Sequence, residues 1–137
     1  MPMAERAPLV VGDVHKVVVV DNLTRSQIVQ YAGASGDFNP LHTDEIYAVQ
    51  IAGFPSVFAH GMLTMALTGT ALTGLFGVTN LRQFGGRFKA QVWPGDTLIA
   101  QVGVTAVEPD GTADILIVTR NQNGAPVFEG SAKISPK

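Results

Sequence analysis

Within Gly36-Asp37-Phe38-Asn39-Pro40-Leu41-His42, a carboxylate and an imidazole stand five residues apart on a loop that proline stiffens. Such a pair can converge on one point and hold a water between its members. One then accepts the water's proton while the other donates one to a substrate. Each residue also has an ordinary reading. Asp and Asn favour loops because their side chains bond nearby backbone, and a loop histidine is commonly solvated.

A second candidate is Phe58-Ala59-His60-Gly61-Met62, where a long uncharged helix is expected to begin, inside a segment from Ile46 to Leu81 that holds no Asp, Glu, Lys or Arg. If a helix starts there, its unpaired N–H groups and partial positive charge favour developing negative charge. Glycine would let a ligand approach the backbone closely. The amide of Gly61 could then serve as an oxyanion donor to a carbonyl. The other reading is equally open on these residues alone: His60 caps the helix and Gly61 allows tight packing.

Other chemistries find no support. Ser35 lies in Gly-Ala-Ser-Gly, not in the Gly-x-Ser-x-Gly turn of a serine hydrolase. His15, His42 and His60 lack the close helical spacing of a zinc site, so no metal is expected. No phosphate-binding glycine loop or dinucleotide fingerprint is present. Arg82, Arg87 and Lys89 could meet a nucleotide phosphate, although each also fits a solvated strand face.

The elements that must position these residues can be read from periodicity and caps. Lys16–Val20 is a β-branched run and reads as a strand. Thr24 with Gln27 forms a capping box, and Leu23 with Ile28 a hydrophobic staple, predicting a helix to about Ala32 that stops at Gly33. A short helix is expected from Asp44 to about Gln50, then a long uncharged one from about His60 to Phe76. Phe88, Ala90 and Val92 alternate with polar residues as in a half-buried strand. Trp93-Pro94-Gly95-Asp96 is a turn, followed by strands over 97–107, 113–120 and 127–134, the last entered through Asn123-Gly124. Helices grouped ahead of an antiparallel sheet predict an α+β fold. One long apolar helix wrapped by a curled five-stranded sheet is the hot-dog arrangement.

The 137 residues suit a single domain spanning 1–137. Without cysteine, a disulfide framework or thiol nucleophile is excluded. Nine basic residues and a net charge of −2 argue against nucleic-acid binding. The N-terminal residues lack a signal peptide's apolar core, and threonines and glycines interrupt the uncharged run, so no membrane span is expected and a cytoplasmic location follows. Charged residues are only 15% of the chain, which suggests that a partner subunit covers part of the surface.

Tyr31-Ala-Gly-Ala-Ser-Gly-Asp37-Phe-Asn39-Pro40-Leu-His42-Thr-Asp44 resembles the hydratase motif of the MaoC-like family, which includes (R)-specific enoyl-CoA hydratases and (3R)-hydroxyacyl-ACP dehydratases. The resemblance extends to Ala59-His60-Gly61-Met62-Leu63 and to the stretch from Arg87 to Pro94-Gly95-Asp96, covering most of the chain. It implies that Asp37 and His42 are the catalytic pair activating water, that Asn39 helps hold the loop, and that the Gly61 amide polarises a thioester carbonyl. Some relatives carry serine two turns into the central helix, where this chain has Ala66.

The implied reaction is reversible hydration of trans-2-enoyl thioesters to (R)-3-hydroxyacyl thioesters in fatty-acid metabolism. It uses no cofactor beyond the thioester carrier, either CoA or acyl carrier protein. The acyl chain is expected against Phe58, Met62 and Met65, with Tyr31 nearby, since methionines adapt to varied shapes. A dehydratase subunit acting on acyl carrier protein and a non-catalytic acyl-thioester-binding subunit are the alternatives. A thioesterase ranks low because the central helix carries no carboxylate. A homodimer is expected, with a heterodimer as the variant form.

Overall fold

The computed structural model describes residues 8–135. Five strands, β1 (Val14–Val20), β2 (Leu81–Phe88), β3 (Leu98–Val107), β4 (Ala113–Arg120) and β5 (Pro126–Ile134), form one antiparallel sheet in the order β1-β3-β4-β5-β2. Helices α1 (Arg25–Ser35), α2 (Pro40–Thr43) and α3 (Gly61–Phe76) all lie between β1 and β2 in the chain. This is the expected hot-dog arrangement.

The curled sheet closes on α3. Ala71, Leu72 and Phe76 pack against inward residues of β3, β4 and β5, among them Ala100, Val102, Ile115, Ile117 and Ala132. A second cluster joins the head of α3, through Ala59 and Leu63, to Leu23, Ile28, Val92 and Leu98. Both members of the expected staple are therefore core residues. The absence of charge along α3 has a direct cause: much of the helix is enclosed, and the buried Thr68 hydroxyl finds partners inside. Thr68 Oγ1 donates to the Thr64 carbonyl at 2.9 Å and lies 2.8 Å from Thr119 Oγ1 on β4. Among the described residues, no helix is long and apolar enough to cross a membrane.

Three boundaries differ from expectation. The Thr24–Gln27 capping box forms, but α1 passes through Gly33 and ends at Gly36, whose φ of 75° lets its N–H reach back to the Ala32 carbonyl. Gly33 is exposed, with space around it, and so interrupts nothing. The short helix begins at Pro40 rather than Asp44, because Asn39 Oδ1 caps it through the Leu41 N–H and Pro40 occupies its first position. Asp44 is extended, and a π-helical turn follows over Tyr47–Ile51. Strand β2 lies at 81–88, with Ala90 and Val92 beyond its end. Gly85 and Gly86 hide its alternation. Gly86 faces Gly130 on β5 so closely that a β-carbon would stand 2.4 Å from the Glu129 carbonyl oxygen.

Candidate active site

The loop between α1 and α2 is built by its own polar side chains. Ser35 Oγ accepts the Asp37 N–H at 3.1 Å, Asp37 Oδ1 accepts the Asn39 N–H at 3.2 Å, and Asn39 Oδ1 accepts the Leu41 N–H at 3.0 Å. The Asn39 carbonyl then takes the His42 N–H at 3.0 Å. This chain of short-range bonds carries the backbone from the exposed Asp37 to the buried His42 in a fixed shape. Asn39 acts here as a cap and loop brace.

His42 is anchored from the far side. Its Nδ1–H donates to the Phe58 carbonyl at 2.6 Å, and the Phe58 ring meets it edge-on at 5.2 Å. A carbonyl can only accept, so Nδ1 carries the proton in the neutral ring and Nε2 keeps the lone pair. The imidazole is thereby presented as a proton acceptor. Its second neighbour is His60, whose ring stacks on it at 3.9 Å and 26°. Asp37, His42 and His60 bring one donor atom each to within 4.8 Å of one another.

His60 sits at the N-cap position of α3, but its side chain makes no capping bond. Its Nε2–H donates instead to the main-chain carbonyl of Asp37 at 3.0 Å. Burial holds its pKa below the usual imidazole value, and the neighbouring His42 adds to that. The Asp37 carbonyl and carboxylate act the other way. Two histidines and a carboxylate this close could in principle ligate a metal. Here His60 Nε2 is committed to Asp37, while its Nδ1 is shut off from solvent, so the cluster suits proton transfer rather than ligation.

Phe58, which anchors His42, and Gly61, which follows His60, wall a cavity of about 280 Å³ with Thr64 and the segment 88–92; Asp37, His42 and His60 are not among its walls. Gly61 opens α3, so its N–H has no partner inside the helix. The structure thus brings together Asp37, His42, Gly61, Asn39 and Phe58. Tyr31 joins them through His60, its ring edge-on at 4.8 Å. Met62 is exposed and Met65 half-buried one and four residues along α3, neither walling the cavity. Of the three clustered cations, Lys89 reaches the cavity wall and pairs with Glu129 at 3.7 Å, whereas Arg82 turns to the Thr79 carbonyl at 2.8 Å. Sequence reasoning missed the contact of His60 with both Asp37 and His42. Its one signal was an imidazole inside a run without Asp, Glu, Lys or Arg.

The profile of the MaoC-like domain family matches residues 9–123. The (R)-specific enoyl-CoA hydratase of Rhodospirillum rubrum is 38% identical over 116 residues, 82% of this chain and 78% of that protein. The 3-hydroxyacyl-thioester dehydratase Y of Mycobacterium tuberculosis is 38% identical over 89 residues, 63% of this chain, and the match spans only 31% of that protein's length. The solved R-hydratase PhaJ1 from Pseudomonas aeruginosa superposes with a TM-score of 0.83 at 28% identity, covering 94% of this chain and 83% of that one.

Proposed function

The chain belongs to the MaoC-like domain family, and on that premise we propose that it adds water reversibly across the double bond of trans-2-enoyl thioesters, giving (R)-3-hydroxyacyl thioesters. One observation carries the reading: the Asp37 carboxylate and the His42 ring converge, and Phe58, whose carbonyl anchors His42, walls a cavity together with Gly61, the first residue of α3. A water held between the two groups loses a proton to His42 Nε2 as its oxygen bonds to C3. The π electrons move onto the thioester oxygen, where the Gly61 N–H stabilises the charge. One such donor contributes about 3–4 kcal/mol in measured systems. His42 then returns the proton to C2 on the same face, which makes the addition syn and leaves the enzyme unchanged. Asp37 orients the water. The conjugated thioester activates C3 itself, so the step uses no cofactor.

The test is a spectroscopic assay with crotonyl-CoA and longer enoyl-CoA esters, run in both directions with product stereochemistry determined. Absence of turnover on every substrate would sink the reading. A second form of the activity, dehydration of (3R)-hydroxyacyl chains on acyl carrier protein, is favoured by Lys89 at the cavity wall with the exposed Arg87 close by in sequence. Matched CoA and carrier-protein substrates separate the two. The catalytic unit we propose is a homodimer, or a heterodimer with a related chain. Its support is the exposed, uncharged row Met62, Ala66, Thr70 and Gly74 on α3, together with two sheet edges that, among the described residues, are paired on one side only.

A further inference from the structure

His60 takes part in none of the proton transfers described above, yet it touches both residues that do. It is 2% exposed. Its Nε2–H holds the Asp37 main-chain carbonyl at 3.0 Å, and its ring stacks on that of His42 at 3.9 Å. Because the carbonyl can only accept, Nε2 carries the proton and Nδ1 is left with a lone pair. That Nδ1 is buried and has no hydrogen-bond partner among the described residues. Phenylalanine would fill the same space without stranding a buried polar atom. A capping residue would turn a nitrogen or oxygen to the amides of α3, which this side chain does not do. Packing and capping therefore leave the imidazole unexplained, while the bond to Asp37 requires it.

We propose that His60 is a positioning residue for the hydration reaction, fixing the Asp37 backbone and the His42 ring relative to each other through one hydrogen bond and one stack. The proposal rests on the hydratase reading. The titratable groups against His60 are Tyr31 from α1, Asp37 from the loop and His42 from α2. His42 must become cationic during the cycle, and a second imidazolium stacked on it would oppose that. Burial of His60 in its neutral form removes the conflict.

The chain has three histidines, so the ring nitrogens of the whole protein can be followed by NMR as pH is lowered. His60 should keep the Nε2–H tautomer and protonate at a lower pH than an ordinary imidazole. An Nδ1–H tautomer, or protonation at or above the ordinary imidazole value, would overturn the proposal whatever the variants do. His60→Phe keeps the ring and loses the donor, whereas His60→Gln restores an N–H near the Nε2 position. With crotonyl-CoA, His60→Phe should lower kcat by about 10- to 100-fold, as misplacement of reacting groups does, with KM little changed and the pH–rate profile displaced. His60→Gln should recover part of kcat. A folded His60→Phe protein with wild-type kcat and pH profile would show that the residue only packs. Absence of turnover in the wild type would instead remove the hydratase reading, and with it the role proposed for His60, while leaving the NMR result intact as a separate test of its tautomer and charge.

Discussion

The ring of Phe88 packs on the bare Cα of Gly61, where a β-carbon would stand 3.0 Å from both Cδ2 and Cε2. Phe88 closes β2 and is half-exposed, so it has room to swing away, whereas Gly61 is fixed as the first residue of α3. Gly61→Ala should therefore fold with a melting temperature close to wild type. Its methyl group would stand between the amide and an incoming carbonyl. Hydration of crotonyl-CoA should fall by about 10²-fold, the lower end of what loss of an oxyanion donor costs. Phe88→Ala in the same chain should relieve the crowding without restoring the rate. Recovery of the rate in that double variant would assign the defect to Phe88 instead.

Asp37 and His42 call for different substitutions, because one is exposed and the other buried against Phe58 and His60. Asp37→Asn should lower turnover by at least about 10²-fold with little change in stability. His42→Ala would open a hole beside two rings, mixing a folding defect with a catalytic one. His42→Asn places an N–H near the former Nδ1, keeps the bond to the Phe58 carbonyl and deletes Nε2. It should lose a similar factor while retaining a cooperative melt. Near-wild-type turnover in either variant removes that residue from the mechanism.

The pH dependence of stability follows from His60. Its folded-state pKa lies below the value near 6.5 that it has when unfolded. Between the two, the unfolded chain binds more protons, so stability is fully present above about pH 6.5 and is lost as pH falls towards the folded value. Denaturant midpoints should thus fall between about pH 7 and 5.5, more steeply in the wild type than in His60→Phe. The Glu45 carboxylate, held below its usual value by its bond to Arg25, acts at lower pH and does not confuse that window. Parallel curves for the two proteins would mean that His60 is not held neutral by folding.

What could be read in advance was local. The Thr24–Gln27 box and the strands β3 to β5 depend on residues a few positions apart, and they formed. The Asp37–His42 pair was legible for the same reason, as one stiff loop carries both. The bonds that complete the site run between distant segments: His42 to the Phe58 carbonyl and His60 to the Asp37 carbonyl. Main-chain acceptors have no side-chain signature, so nothing in the spacing announces them. Strand β2 was misplaced for a related reason. Gly85 and Gly86 carry no alternation, and only the closeness of Gly130 on β5 explains them.

An edge-to-edge dimer is the expected state in solution. Among the described residues, strands β1 and β2 each pair on one side, and an open edge offers unpaired amides and carbonyls to another chain. Sedimentation equilibrium at micromolar concentration should give a species of twice the 14.4 kDa chain mass. A monomer alone would refute it, and dimerisation only on mixing with a related chain would select the heterodimer.

The last prediction concerns where a long acyl chain goes. A cavity of about 280 Å³ is at the small end for ligand sites and suits the reacting end of the substrate rather than a long tail. Thr64 is the residue of α3 farthest along the helix that walls it, and Met65, four residues from Gly61, shares the glycine's side of the helix. A tail continuing past Thr64 along α3 meets Met65 next. Met65→Trp should therefore cut hydration of long enoyl-CoA esters while sparing crotonyl-CoA. Because Met65 is half-buried, the added bulk can extend outwards and the melting curve should move little. If Met65 serves only the core, overpacking should instead destabilise the fold by about 1–3 kcal/mol and leave the relative rates across chain lengths unchanged. A melting curve and a chain-length profile on this one variant decide between the two.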